Sequence, residues 1–116
     1  MGKVVERYDV SILVAEDDPD ILLLMTSYLA TRATKVYGAP DGQEAIGIFE
    51  SNHIDIVVTE IAMPRLNGLE LTKIIRGQNE DIPIIIASGY YEKDMLLEAI
   101  DLNITSFNSK PIDNKR

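Results

Sequence analysis

The 116-residue sequence predicts a small doubly wound α/β domain, with parallel strands and helices on both faces. Three observations carry that expectation. Short apolar runs rich in branched residues alternate with amphipathic segments of helical period. Residues suited to capping helices follow closely on several of those runs. The connections are short, and no segment is repeated or low in complexity.

VSILVA (10–15) reads as a buried strand. Asp18 then serves as a helix N-cap with Pro19 at the first helical position. Ile21, Met25, Tyr28 and Leu29 fall at helical spacing, so this helix should reach about Arg32. A weaker strand follows at KVYGA (35–39). Asp41 and Glu44 have the spacing of a capping box, opening a helix with Ala45 and Phe49 on its inner face. IDIVVT (54–59) is the third strand. Asn67 and Glu70 repeat the box; Leu71, Ile74 and Ile75 line the helix, and Gly77 is the expected stop. IPIIIA (82–87) is the fourth strand, Met95, Leu96, Ala99 and Ile100 mark a fourth helix, and ITSFN (104–108) is a short fifth strand. After it the chain reads SKPIDNKR and stops, with no residues left for a final helix. A single domain spanning 1–116 is expected, as a piece of a longer chain or with its open sheet face covered by something else.

Composition narrows the function. Nineteen acids against eleven bases give a formal charge of −8, with no basic cluster to track phosphates, so nucleic-acid binding by this chain is not expected. Cysteine is absent, which removes disulfides and thiolate metal sites and agrees with a cytoplasmic home. No run reaches transmembrane length, and the N-terminus lacks the apolar stretch of a signal peptide. His53 is the sole histidine and is expected in a loop or at a strand entry, not in a zinc site or a triad.

In doubly wound sheets, chemistry gathers beyond the carboxyl ends of the strands. Glu16 and Asp17 follow the first strand, Glu60 the third, Ser88 the fourth and Lys110 the fifth. Three carboxylates brought together would repel one another, and a hard divalent cation, Mg²⁺ above all, relieves that conflict. Lys110 would add a positive charge able to hold a phosphate or carboxylate. Phosphate-cradling Ser/Thr/Gly turns are absent after the first strand, which argues against a flavin-binding site. Taken singly, Asp18 and Asp41 read as helix caps, Ser88 as a turn residue and Lys110 as a solvated base; the joint pattern overrides the last two readings.

ILVAEDDP (12–19), TEIAMPRLNGLEL (59–71), PIIIASG (83–89) and SKP (109–111) occur in the order and spacing of one family. Over essentially its whole length the sequence resembles the receiver domain of two-component response regulators. The resemblance implies a flavodoxin-like five-stranded sheet of order 2-1-3-4-5, lacking here its last helix. It implies a switch phosphorylated by a histidine kinase or phosphotransfer protein with Mg²⁺, catalysing only its own phosphorylation and dephosphorylation. Glu16 and Asp17 match the acidic pair that positions the metal, and the backbone carbonyl of Ala62 matches a further ligand. Ser88 and Lys110 match the hydroxyl and the lysine that meet the phosphoryl oxygens. Phe107 matches the aromatic switch position, and Lys110-Pro111 a bond that is usually cis in the family.

The phosphoacceptor position, and with it one metal ligand, falls on Glu60, where the family has aspartate. Glutamate extends the carboxylate by roughly 1.5 Å. The expectation is impaired phosphorylation, weakened Mg²⁺ binding, or partial imitation of the phosphorylated state. Output is expected through the surface around the fourth helix and fifth strand, near Tyr90, Tyr91 and Phe107. Rival readings are a pseudo-receiver or engineered self-assembling interaction module, with dimerisation through the face left by the missing helix, and a Mg²⁺-dependent phosphotransferase. No membrane partner is expected.

Overall fold

The computed structural model describes residues 6–89 and 92–109. In order these form β1 (Tyr8–Ala15), α1 (Pro19–Leu29), β2 (Ala33–Ala39), α2 (Gly42–Ser51), β3 (Ile56–Thr59), α3 (Gly68–Gln78), β4 (Ile84–Ser88), α4 (Lys93–Asp101) and β5 (Ser106–Ser109). All strands pair in parallel, in the order β2-β1-β3-β4-β5, as the resemblance implied.

Period-two alternation sorts each strand between the two faces of the sheet. Leu13, Ala15, Val57 and Ile84 pack with Ala45, Leu71 and Ile75 from α2 and α3. Ile12, Val14, Val58 and Ala87 point the other way, toward Leu22, Met25 and Leu29 of α1. A smaller cluster of Ile61, Leu69, Ile86 and Ala99 joins α3 and α4 to β4.

The caps follow the sequence reading. Asp18 accepts from the amides of Asp20 and Ile21 at 2.9 and 3.2 Å. Asp41 accepts from Glu44 N–H at 2.8 Å, and Asn67 with Glu70 forms a full reciprocal capping box. Several boundaries differ from the reading. α1 ends at Leu29 and not near Arg32, because β2 begins already at Ala33; the amide of Tyr8 reaches back to Arg32 O at 2.7 Å, so β1 also starts earlier. Gly77 does not stop α3. The helix continues to Gln78, and Asn79 ends it by turning its Oδ1 to the amides of Asp81 and Ile82 at 2.9 and 3.0 Å. Ile74, read as lining its helix, is exposed, as are Tyr28 and Ile100, which the helical spacing had marked. Helical spacing alone does not separate core from rim at these positions.

Asp41 does more than cap. It is only 2% exposed and accepts from Arg65 Nε at 3.0 Å. Arg65 has a left-handed φ of 68°, unfavourable for a residue with a Cβ, and the ion pair helps hold it there. The Glu44 amide, then the Arg65 guanidinium, hold the Asp41 carboxyl below its ordinary value of 3.8, against the opposing effect of burial. This stabilisation is complete above the unfolded pKa and is lost as pH falls from about 3.8 through the lower folded value. Asp41→Asn is therefore expected to lower the urea midpoint at neutral pH and to shrink the further drop on acidification to about pH 3. An equal acid-induced drop in both proteins would dismiss this role.

Candidate functional site

β1, β3 and β4 are buried to their last residues, and each delivers a polar group just where the sheet ends. Glu16 is 2% exposed, Glu60 7% and Ser88 0%. Main-chain bonds fix the acids: Glu16 N–H donates to Ala39 O at 3.0 Å and Glu60 N–H to Ala15 O at 2.9 Å. The Glu16 carboxylate accepts from Asp18 N–H at 3.1 Å. Asp17 is exposed and borders a cleft of about 480 Å³ that Ile61, Ala62, Pro64, Asn67 and Met95 also line.

Glu60 turns its carboxylate onto the main chain of two loops. Oε2 accepts from Ile61 N–H at 2.7 Å and, more weakly, from Ala62 N–H at 3.4 Å. Oε1 faces Gly89 N–H at 3.4 Å, just past β4. These amides form a small anion-binding concavity spanning two strand ends. The sequence reading named the acid but not this nest, since backbone amides leave no signature in residue type.

The loop after β3 is held in place by Gly68. Its N–H donates to Ile61 O at 2.8 Å, and a Cβ on it would lie 2.0 Å from Glu60 O. Asn67-Gly68 therefore starts α3 and also permits close passage of α3 over the acid, a role visible only in three dimensions.

Phe107 is half-buried in β5, in register with Ile86 and packed on the Ile61–Leu69–Ile86–Ala99 cluster. Ser88 is in register with Ser109. Lys110, Pro111, Tyr90 and Tyr91 lie outside the described residues. His53 precedes β3, at the far end from Glu60, with Nε2 2.7 Å from Asp55 Oδ1. The Ser11 amide, then His53, hold the Asp55 carboxyl below its ordinary range.

The donor set expected for a hard cation is Glu16, Asp17, Glu60 and the Ala62 carbonyl. Among the described residues, no group of three or more Asp, Glu, His or Cys side chains is placed to hold a metal ion. Glu60 directs its oxygens toward main-chain amides.

Acids and a hydroxyl at the carboxyl ends of a doubly wound parallel sheet define an α/β domain with a polar switch-point site. The response regulator receiver domain model matches residues 12–116, and the chain belongs to that family. It is 30% identical over 100 residues to the transcriptional regulatory protein RprY of Bacteroides fragilis, covering 86% of this chain and 42% of that protein. To the transcriptional regulatory protein MalR of Bacillus subtilis it is 32% identical over 109 residues, covering 92% of this chain and 46% of that protein. The chain thus spans under half the length of these relatives. Among solved structures, the N-terminal domain of an uncharacterized Wolinella succinogenes protein superposes with a TM-score of 0.86 at 31% identity, covering 90% of this chain and 84% of that one. The response regulator TrrA of Thermotoga maritima, solved in complex with Mg²⁺-BeF, gives a TM-score of 0.80 at 28% identity, covering 91% and 90%. Receiver domains are signalling switches of two-component systems rather than turnover enzymes. Among the described residues, no helix is long and apolar enough to cross a membrane.

Proposed function

We propose that this domain is a phosphorylation-controlled switch whose acceptor position, Glu60, accepts a phosphoryl group poorly and instead seats its own carboxylate where phosphoryl oxygens would otherwise lie. The single observation behind this reading is the pairing of Glu60 with the amides of Ile61 and Gly89. Amides aimed at one point stabilise negative charge without reorganising. A tethered carboxylate satisfies them in part, having less charge and fewer acceptor oxygens than a phosphoryl group. Imitation of the phosphorylated state is correspondingly partial.

In this reading a histidine kinase or phosphotransfer protein is the upstream partner, in the cytoplasm. Glu16, Asp17, Glu60 and the Ala62 carbonyl are the residues that would hold Mg²⁺, and the turn of Glu60 toward the amides weakens that binding. Ser88 and Lys110 meet the phosphoryl oxygens. Phe107 relays the change to the α4–β5 surface, where output partners engage.

The test is intact-mass analysis after incubation with a small phosphodonor and Mg²⁺, comparing this chain with Glu60→Asp. An adduct forming readily only on Glu60→Asp is expected. Equal labelling of both would overturn the impairment, and labelling of neither would count against the receiver chemistry itself.

A further inference from the structure

At the opposite end of the sheet from the cleft, Arg76 in the last turn of α3 directs all three guanidinium nitrogens at main-chain carbonyls. Nε donates to Leu102 O at 3.0 Å and Nη2 to Asn103 O at 2.8 Å. Nη1 donates to Ile82 O at 2.7 Å and Asn79 O at 3.3 Å. The acceptors belong to three segments: the end of α3, the entry to β4, and the turn joining α4 to β5.

That turn is tightly wound. Leu102 N–H reaches Glu98 O and Ala99 O, both at 3.1 Å, and Asn103, left-handed at φ 59°, donates to Ile100 O at 3.0 Å. Carbonyls at a helix C-terminus carry partial negative charge that a cation satisfies. Immediately afterwards Thr105 locks onto β4, donating N–H to Ile84 O at 2.8 Å while its hydroxyl accepts from Ile84 N–H at 3.0 Å.

The other end of α4 is held differently. Ala99, in the second half, is the one buried residue of the helix. α1, α2 and α3 each begin with a side-chain cap bond, and α4 does not. Met95, in its first turn, borders the cleft beside Asp17 and Ala62.

We propose that Arg76 is the fixed pivot of α4: a positioning residue that fastens the C-terminal turn of the helix to α3 and to the start of β4, confining displacement to the end that borders the cleft. A helix of nine residues is about 14 Å long, so a tilt of about 10° moves its cleft end by about 2 Å and leaves Leu102 in place. A group entering the cleft meets the Met95 end, and Arg76 converts that push into rotation instead of sliding.

Residue-resolved amide exchange on the native chain, Arg76→Gln and Arg76→Lys tests this. In the native chain, Leu102, Asn103 and Thr105 are expected to exchange at least about tenfold more slowly than Leu96 and Leu97. Arg76→Gln should cut that protection by more than about tenfold, the loss expected for charge-assisted bonds, while Leu13 and Val57 stay protected. Arg76→Lys keeps the charge but not the fork, and should also lose most of it. Equal protection at both ends of native α4 would overturn the proposal. So would variants that exchange as the native chain does, or that lose protection uniformly across the sheet. If Arg76→Gln does not fold, Arg76→Lys decides alone by the same criteria.

Discussion

Glu60→Asp is expected to take up a phosphoryl group on the order of a hundredfold faster than the native chain. In Glu60 the extra carbon–carbon bond carries Oε2 to within 2.7 Å of the amide of the very next residue. Transfer requires one carboxylate oxygen to form a bond to phosphorus, in line with the departing donor group as that bond breaks. A carboxylate displaced by roughly 1.5 Å, with Oε2 engaged by Ile61 N–H and Oε1 facing Gly89 N–H, meets neither requirement. Aspartate withdraws the carboxylate toward the sheet and leaves the amides to the incoming phosphoryl oxygens. Initial rates of adduct formation, read by mass, measure the ratio. A ratio near one would mean that the added methylene is absorbed by the loop and that the geometric argument fails.

Gly68→Ala should cost about 3 kcal/mol or more, an unusually large penalty for one methyl group. The added Cβ would lie 2.0 Å from Glu60 O, 2.8 Å from Glu60 C and 3.0 Å from Ile61 Cα. All three are main-chain atoms, so no side chain can swing aside. Either α3 lifts off β3, or the acid and its nest shift. The second route couples stability to the site, because Glu60 O also accepts from Thr59 Oγ1 at 2.8 Å. Gly77→Ala is the matched control: nothing lies within 4 Å of its Cβ position, and alanine inside a helix should gain about 0.5–1 kcal/mol. Urea unfolding of the pair would show the contrast. A Gly68→Ala protein within about 1 kcal/mol of native would show that the loop yields far more easily than the contacts imply.

Much of this was legible in one dimension. β1, β3 and β4 announced themselves because each is buried over most of its length and so reads as an apolar run, whereas β2 and β5 are more exposed and read weakly. The caps were legible because they are local, a side chain bonding an amide two or three residues away. What was missed depends on distant segments. Gly77 resembled a stop, yet Asn79 supplies the turn bonds that end α3. Asp41 was read as a cap, and its second partner, Arg65, lies 24 positions along the chain. The role of Arg76 left no local signal, because two of its four acceptors sit 26 and 27 residues away. At the site, the acids were found by their place at the strand ends, and the amide nest was not, because Ile61, Ala62 and Gly89 serve through atoms that every residue but proline carries.

The nest also ties signalling to folding. Glu60 meets Gly89, 29 positions further along the chain, and it does so only when β3 and β4 are side by side. Its backbone is fixed by Ala15, which requires β1 as well. A fragment without β1 or β4 lacks one of the contacts that place Glu60. The site exists only where these strands are assembled, so the population that carries it cannot exceed the population that is folded. A core mutation that does not touch the nest thus works as a volume control, lowering how many molecules carry the site without altering its geometry.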